Sequence, residues 1–366
     1  MDFDFSDDQK LLQEHARRFL EKFSAREVVR AVMDKGQTHD EALWKGLIEL
    51  GFTATVIPEE FGGLGLGYLE LCVIAEELGR SLAPVPFSSS VYLAAEFLLV
   101  AGTDAQKAHW LPQIVSGEAI GTAALTESAD TKGVQARVTG GKLSGVKIPV
   151  PDGMIADFAI VSALGEGDSL QIFIVDLKAQ GVTREPVATI DPTRAQARVS
   201  FDTTPVEPLG NANLSTIETV FDRASVLFAF EQIGGSDRAL EMARDYSLER
   251  RAFGRQIGSF QALKHMMADM YVAATLARSN AYYAAWALSV NSPELPQAAA
   301  SARVSATEAF RHCAKNNIQV HGGMGFTWES DCHMFYRRSN LLAVNLHGPM
   351  YWEDRLIEHI KMSGVV

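Results

Sequence analysis

The N-terminal part of the chain carries apolar residues at the spacing of an α-helix. Ser6 is a suitable N-cap for a first helix. A second helix is predicted over about 40–50, where Gly51 ends it, and a third over Tyr68–Gly79. A further helix follows Thr103-Asp104, since either residue can cap it. This region is therefore predicted to be helical up to about residue 118.

The pattern changes near residue 118, where short β-prone runs begin to alternate with Gly, Asp, Pro and Thr turns. The predicted strands are Ile120–Leu125, Lys142–Val150, Phe158–Ser162, Leu170–Val175 and Ala197–Phe201. Short strands at this spacing are typical of a small antiparallel sandwich or barrel. We therefore expect a β domain to follow the helices.

Long amphipathic helices return at about residue 214. They are predicted over 214–247, 258–290, 294–320 and 349–362. The predicted fold class is α+β, with an N-terminal helical domain (1–118), a middle β domain (119–212) and a C-terminal four-helix bundle (213–366). Helices with this much apolar surface also indicate an oligomer.

Composition narrows the possible functions. The chain has 366 residues, of which 47% are hydrophobic, so a large core is available and global disorder is excluded. Its net charge of −12 argues against a nucleic-acid partner. No apolar run approaches the roughly 18–20 residues that span a bilayer. The acidic start does not resemble a signal peptide, and we expect a cytoplasmic protein.

The common catalytic and metal-binding motifs do not indicate a function for this chain. The histidines near the C-terminal helices, among them His312, His321 and His333, lack a metal-ligand spacing, so no metal site is predicted. The glycine-rich segment 62–67 does not follow a clear strand and is interpreted as a loop. The cysteines (Cys72, Cys313 and Cys332) form no CxxC pair and are expected to be reduced thiols.

Three segments carry a specific combination of motifs. Residues 104–127 place a helix before a strand ending in Leu-Thr-Glu. Residues 246–261 contain Arg-x-x-Phe-Gly, and residues 318–326 contain Gln-x-x-Gly-Gly. In this order and spacing, the chain resembles the acyl-CoA dehydrogenase family over essentially its whole length, Phe3 to Leu356.

The resemblance implies FAD as cofactor, bound between the β domain and the bundle and reaching into a neighbouring subunit. Leu125 and Thr126 match the strand end that meets the flavin ring. The residues that match the diphosphate and adenosine side, contributed by the other subunit, are Arg250, Phe253, Gln261, Gln319, Gly322 and Gly323. A cation beside glycine-exposed amides is a suitable cradle for a diphosphate.

The sequence departs from the family pattern at several positions. The usual Gly/Ser-rich loop after Thr-Glu is replaced by Ser-Ala-Asp-Thr-Lys-Gly over 128–133. The flavin-packing Trp-x-Thr is replaced by Pro-Val-Pro over 149–151. The usual catalytic Glu falls in 345–349, which reads Asn-Leu-His-Gly-Pro, and the alternative base position falls on Ala224. Neither of the family's base positions therefore holds a carboxylate.

Dehydrogenation of an acyl thioester still requires a base for the α-proton. Glu231 is the leading candidate, because it lies seven residues from Ala224 on the same face of an apolar helix. The alternative is that Glu231 pairs with an arginine across a subunit interface. His347 is a second candidate base.

The resemblance also indicates partners. Asp222 matches a position near bound coenzyme A, and Arg223 could attract a phosphate. An acyl-CoA substrate, an electron-transfer flavoprotein and a homo- or hetero-tetramer are implied. Two functions remain open: dehydrogenation of an unusual or bulky acyl-CoA, or a weakly active or non-catalytic subunit that completes a shared FAD site with a paralogue.

Overall fold

A computed structural model describes residues 5–127 and 133–362. It contains a helical N-terminal domain, a middle domain built on a mixed sheet and a helical C-terminal domain. The N-terminal helices are α1 (Asp7–Phe23), α2 (Arg26–Lys35), α3 (Glu41–Glu49), α4 (Tyr68–Arg80), α5 (Glu96–Ala101) and α6 (Asp104–Ser116). A π-helix, Ser88–Ala95, precedes α5.

Local capping explains where the N-terminal helices begin. The Ser6 hydroxyl caps α1 and the Thr103 hydroxyl caps α6, and each forms a reciprocal capping box with the glutamine three positions later. Thr103 rather than Asp104 is thus the capping residue of α6. Gly51 has a φ of +75° just beyond α3, a backbone conformation that favours glycine.

Three helical segments of this region were not predicted, namely α2, the π-helix and α5. The π-helix is buried on every side, so it lacks the one-sided apolar pattern of a surface helix. α2 does carry such a pattern, with Val29, Val32 and Met33 on its buried face, and was overlooked because it is short. The three consecutive serines of the π-helix, Ser88, Ser89 and Ser90, are all buried. Such π-helical turns frequently occur near functional sites.

The middle domain is formed by one eight-stranded sheet. Its strands are β1 (Gly121–Ala124), β2 (Arg137–Thr139), β3 (Lys142–Pro151), β4 (Phe158–Leu164), β5 (Leu170–Asp176), β6 (Val182–Val187), β7 (Gln196–Pro205) and β8 (Glu207–Pro208). The order is β6-β7-β3-β2-β4-β5-β8, and β1 also pairs with β4. Its core is apolar and includes Leu143, Val150, Val161 and Phe201.

The sheet differs from the predicted antiparallel arrangement in two pairings. β1 and β2 both run parallel to β4, and the other neighbours are antiparallel. Strand direction depends on which strands become neighbours, a property that the alternation of residues does not encode. β2, β6 and β8 were missed because they are short or largely polar.

The C-terminal domain is helical, with α7 (Leu214–Glu249), α8 (Gln261–Ser289), α9 (Leu295–His321), α10 (Cys332–Leu342) and α11 (Pro349–Met362). A small hairpin of β9 (Arg251–Ala252) and β10 (Arg255–Gln256) joins α7 to α8. Buried alanines dominate the inner faces of α8 and α9 and allow these helices to pack closely. α10 was not predicted.

Two compact units are distinguished by their internal contacts. The first comprises Met1–Val28, Tyr68–Ala83 and Ser225–Val366, and the second comprises Val29–Gly67 and Pro84–Ala224. This grouping does not follow chain order, so the predicted boundaries near 118 and 212 stay predictions. Across the described ranges, no helix is both long and apolar enough to cross a bilayer.

Candidate functional site

The strand end at Leu125-Thr126 lies in the second unit, directly after β1. The Ser162 hydroxyl donates to the Leu125 carbonyl at 3.0 Å, and the Ile148 N–H donates to the Thr126 carbonyl at 2.9 Å. Both carbonyls are therefore held by neighbouring strands. Leu125 is half-buried and the Thr126 side chain is exposed, so this strand end presents a hydroxyl at the surface of the unit.

Glu127 and Lys147 form an ion pair immediately beside this strand end. The Lys147 ammonium lies 2.8 Å from Glu127 Oε1 and 3.2 Å from Ser162 Oγ. The Lys147 side chain is 0% exposed, and burial lowers its pKa, although the bond to Glu127 acts in the opposite direction. Sequence analysis did not single out this pair. A lysine between the apolar residues Val146 and Ile148 was the available signal.

The Pro-Val-Pro segment lies at the end of β3. Val150 is fully buried, whereas Pro149 is exposed and Pro151 is half-buried, so the two prolines share the opposite face of the strand. Neither proline offers the ring or hydroxyl of the family's Trp-x-Thr. The other departure from the family pattern in this region, 128–132, lies outside the described residues.

The Arg-x-x-Phe-Gly motif forms an exposed hairpin at the end of α7, in the first unit. Arg250 is exposed, and Phe253 is 94% exposed with a φ of +54°. Gly254 follows with a φ of +79°. Phe253 lies edge-on to Phe260, with 6.1 Å between the ring centroids, and most of its side chain is exposed.

The Gln-x-x-Gly-Gly motif lies at the end of α9 and reaches the same end of the first unit. Tyr246, one turn before Arg250, stacks on His321 with 4.1 Å between the ring centroids. Gln319 is exposed, and a Cβ added at Gly322 or Gly323 would meet no atom within 4 Å. The fold thus joins the two motifs through the Tyr246–His321 stack.

This end of the first unit fits the diphosphate of a dinucleotide. Arg250 provides an exposed cation, and the glycine pair leaves open space that another molecule can approach. Gln261, the first residue of α8, is also exposed and follows the hairpin after a single 3₁₀ turn. The Tyr246–His321 stack therefore brings the segments that carry five of the predicted positions to the same end of the unit: Arg250, Phe253, Gln319, Gly322 and Gly323.

Glu231 lies in α7, deep inside the first unit. Its carboxylate pairs with Arg338 of α10, with 3.4 Å between Oε1 and Nη1, and both side chains are 1% exposed. A Cβ at Gly79 of α4 would lie 1.8 Å from the Glu231 carbonyl oxygen, so the two helix backbones touch at this point. The arginine partner considered in the sequence analysis thus belongs to this same chain.

A second buried arginine holds the segment in which the family's usual base would lie. Arg303 of α9 donates to the Asn345 Oδ1 atom at 2.5 Å and to the Leu342 carbonyl. Its Nη1 donates to Gln232 Oε1 at 2.9 Å. Burial lowers the pKa of Arg303 to about 9. Arg303 was not predicted, although an arginine within the alanine-rich first half of α9 was a visible signal.

The segment 345–349 contains the second candidate base, His347. Its ring stacks on Tyr351 with 4.2 Å between centroids, and its backbone φ is +70°. Desolvation lowers the pKa of His347, which favours the neutral imidazole that can accept a proton. Ala224, at the alternative base position, is fully buried in α7.

The predicted substrate-binding residues lie in the second unit, near the start of α7. Arg223 pairs with Glu96, with 2.9 Å between Nη1 and Oε2, and the Glu96 side chain is 0% exposed. Asp222 is 4% exposed. The charge of Arg223 is therefore shared with an internal carboxylate that sequence analysis did not identify.

Comparison with known proteins gives matches over most of the chain. Residues 6–118 match the family model for the N-terminal domain of acyl-CoA dehydrogenases, and residues 214–345 match the model for the C-terminal domain. The chain is 35% identical over 344 residues to acyl-CoA dehydrogenase IpdE2 of Mycobacterium tuberculosis, and the match covers 94% of each protein.

Solved structures share the fold over nearly the full length. The Tcur3481-Tcur3483 steroid ACAD variant has a TM-score of 0.89 at 30% identity, with 98% of this chain and 99% of that chain covered. The ChsE4-ChsE5 complex of Mycobacterium tuberculosis has a TM-score of 0.91 at 28% identity, with 99% of each chain covered.

Proposed function

Because the chain belongs to the acyl-CoA dehydrogenase family, we propose that it carries out FAD-dependent α,β-dehydrogenation of an acyl-CoA thioester with an unusual or bulky acyl group. The observation that carries this proposal is the exposed surface formed by Arg250, Phe253 and the Gly322-Gly323 turn. A cation, an exposed aromatic ring and open glycines suit a flavin dinucleotide that a second subunit covers.

Different residues would contact the diphosphate and the ring of the flavin. When bound, FAD would supply the acceptor for the hydride that leaves the β-carbon. Arg250 would neutralise the diphosphate, and Gln319 with the glycine pair would contact it. Leu125 and Thr126 would meet the ring, since the held strand end presents the Thr126 hydroxyl outward.

The α-proton must pass to a base, and this chain offers two candidates. Glu231 has the right chemistry, but its ion pair with Arg338 would have to loosen before it accepted a proton. His347 lies in the segment that matches the family's usual base, and its lowered pKa favours the proton-accepting form. The catalytic role of Glu231 stays a prediction, and its pairing favours the alternative that it is structural.

A second candidate function is that of a partner subunit in a heteromeric dehydrogenase. Segment 345–349 holds no carboxylate, and prolines stand where a flavin-packing ring is usual. By contrast, the residues proposed to contact the flavin of the other subunit, Arg250, Phe253 and the Gly322-Gly323 turn, all match the family pattern. The names of the similar Tcur3481-Tcur3483 and ChsE4-ChsE5 structures each join two components, which supports a mixed assembly.

The same comparisons support a substrate class. One similar structure is named a steroid ACAD, which favours a sterol-derived acyl group within the bulky class. Family resemblance further supports an electron-transfer flavoprotein as electron acceptor and a tetrameric assembly, either of one chain or of two.

The deciding experiment is to purify the chain alone and co-expressed with a neighbouring paralogue, and to count flavin per protomer from the visible spectrum. About one FAD per protomer in the chain alone supports a homo-oligomeric dehydrogenase. Flavin that appears only on co-expression supports the partner role. Absence of flavin and of acyl-CoA-dependent dye reduction in both preparations would overturn the proposal.

A further inference from the structure

Lys147 of β3 is a buried cation in the middle domain, and its ammonium bonds to polar groups at one strand end. Its neighbours in the sheet core are apolar, and its side chain is completely buried. Placing an ammonium there is unfavourable unless hydrogen bonds satisfy it. Its two recorded partners, the Glu127 carboxylate and the Ser162 hydroxyl, both act on the segment 125–127.

That segment is held at three successive residues. The Leu125 carbonyl accepts from Ser162, the Thr126 carbonyl accepts from Ile148, and the Glu127 carboxylate accepts from Lys147. Glu127 also accepts backbone N–H groups from Gln135 and Ala136 at 2.9 Å and 3.0 Å. The carboxylate therefore ties the chain entering 128–134 to the chain leaving it.

The electrostatics of Glu127 agree with this geometry. Burial alone would raise its pKa, but the hydrogen bonds from Lys147 and from the backbone amides lower it. The carboxylate is thus kept ionised, which is the form that can accept from the ammonium and both amides together.

We propose that Lys147 and Glu127 are positioning residues, whose ion pair orients Leu125 and Thr126 toward the isoalloxazine ring of the flavin. This inference rests on the proposed function, because it assigns the ring to that strand end. A buried ion pair adds little stability relative to an apolar pair of equal volume, so the contribution that distinguishes this pair is the orientation it imposes on the strand end.

The direct test uses the flavin-containing form of the protein, with or without the paralogue, and three substitutions. Ser162→Ala removes the hydroxyl that links the ammonium to the Leu125 carbonyl, with little change in volume. Lys147→Met removes the ammonium. Thr204→Val is the matched control, because it removes a buried hydroxyl from β7 of the same sheet without touching 125–127.

The readouts are the dissociation constant of FAD and the position of the flavin absorption bands. We expect Ser162→Ala to weaken FAD binding about fivefold and Lys147→Met at least tenfold, in line with the loss of a neutral and of a charged hydrogen bond. Both should shift the flavin bands, which a loss of stability alone would not do. Thr204→Val should change neither.

The outcomes separate the two proposals. Suppose that the unsubstituted protein carries flavin, and that the Ser162→Ala and Lys147→Met variants show the same FAD affinity and absorption bands as Thr204→Val. The positioning role is then wrong, while the proposed function stands. If the unsubstituted protein binds no flavin in either form, both fail. If Lys147→Met does not fold, Ser162→Ala and Glu127→Gln decide the matter, with weaker binding and shifted bands expected for each.

Discussion

Arg338 and Glu231 are 107 positions apart in the chain, yet they form a buried ion pair with 3.4 Å between Nη1 and Oε1. The pair joins α10 to α7 at the point where the α4 backbone presses on the Glu231 carbonyl through Gly79. The candidate base is therefore also a structural residue, and the two roles make different predictions.

Glu231→Gln separates these roles. If Glu231 is the base, the folded fraction of this variant keeps its flavin but loses turnover. If Glu231 only pairs with Arg338, the folded fraction keeps near-normal rates. In either case the free energy of unfolding should fall by about 3–5 kcal/mol, because removing one partner of a buried ion pair is strongly destabilising. Steady-state kinetics and urea unfolding of the same preparation measure both.

Arg338→Met provides the complementary measurement. Removing the guanidinium leaves the Glu231 carboxylate buried, so we expect a similar loss of about 3–5 kcal/mol in the free energy of unfolding. The double variant Glu231→Gln with Arg338→Met should recover part of this loss, but not all of it, because the charge of Glu231 also stabilises the buried Arg303. Additive losses in the double variant would show that the two side chains are not energetically coupled.

Arg250→Ala tests the diphosphate side of the flavin site. Loss of a charge-assisted hydrogen bond should weaken FAD binding by roughly 10- to 100-fold, with little effect on stability because Arg250 is exposed. Arg255→Ala is the matched control, since Arg255 is an exposed arginine of the same hairpin that lies over Phe260. Equal flavin occupancy in both variants would count against the assignment of Arg250.

Gly323→Ala tests whether a ligand approaches the glycine turn. A Cβ at this position meets nothing within 4 Å of the chain itself, and its φ is not in the left-handed region. Unfolding free energy should thus change by less than about 0.5 kcal/mol, while FAD binding weakens. Gly322→Ala, at φ +59°, should instead lose both stability and flavin. Unchanged FAD affinity in Gly323→Ala would place the diphosphate elsewhere.

His321 predicts a pH dependence of stability. Burial lowers its pKa in the folded state, so between that value and the ordinary pKa of about 6.5 the unfolded chain binds more protons. The free energy of unfolding therefore rises with pH through this window. The contribution of His321 to stability decreases as the solution becomes more acidic. His321→Phe, which keeps an aromatic ring against Tyr246, should reduce this acid-side slope in urea titrations. If the slope is unchanged in His321→Phe, other titrating groups cause the pH dependence.

Much of the architecture was predictable because local patterns decide it. The long helices α7, α8 and α9 follow from apolar periodicity, and the capping serine and threonine mark α1 and α6. The fully buried π-helix could not be predicted in this way, because a segment that is buried on all sides has no polar face and carries no periodic signal. The parallel pairings of β1 and β2 with β4 could not be predicted either, because the alternation of apolar and polar residues does not encode strand direction.

The amino-acid sequence by itself determined the family, the helical and β regions, and the residues of the proposed flavin surface, since these depend on short motifs and on periodicity. Tertiary structure alone decided how distant charges are used. It paired Glu231 with Arg338, Arg223 with Glu96 and Lys147 with Glu127. Residue type shows that a charge exists, but only the fold determines which opposite charge lies within hydrogen-bonding distance inside the protein, where an unpaired charge is unfavourable.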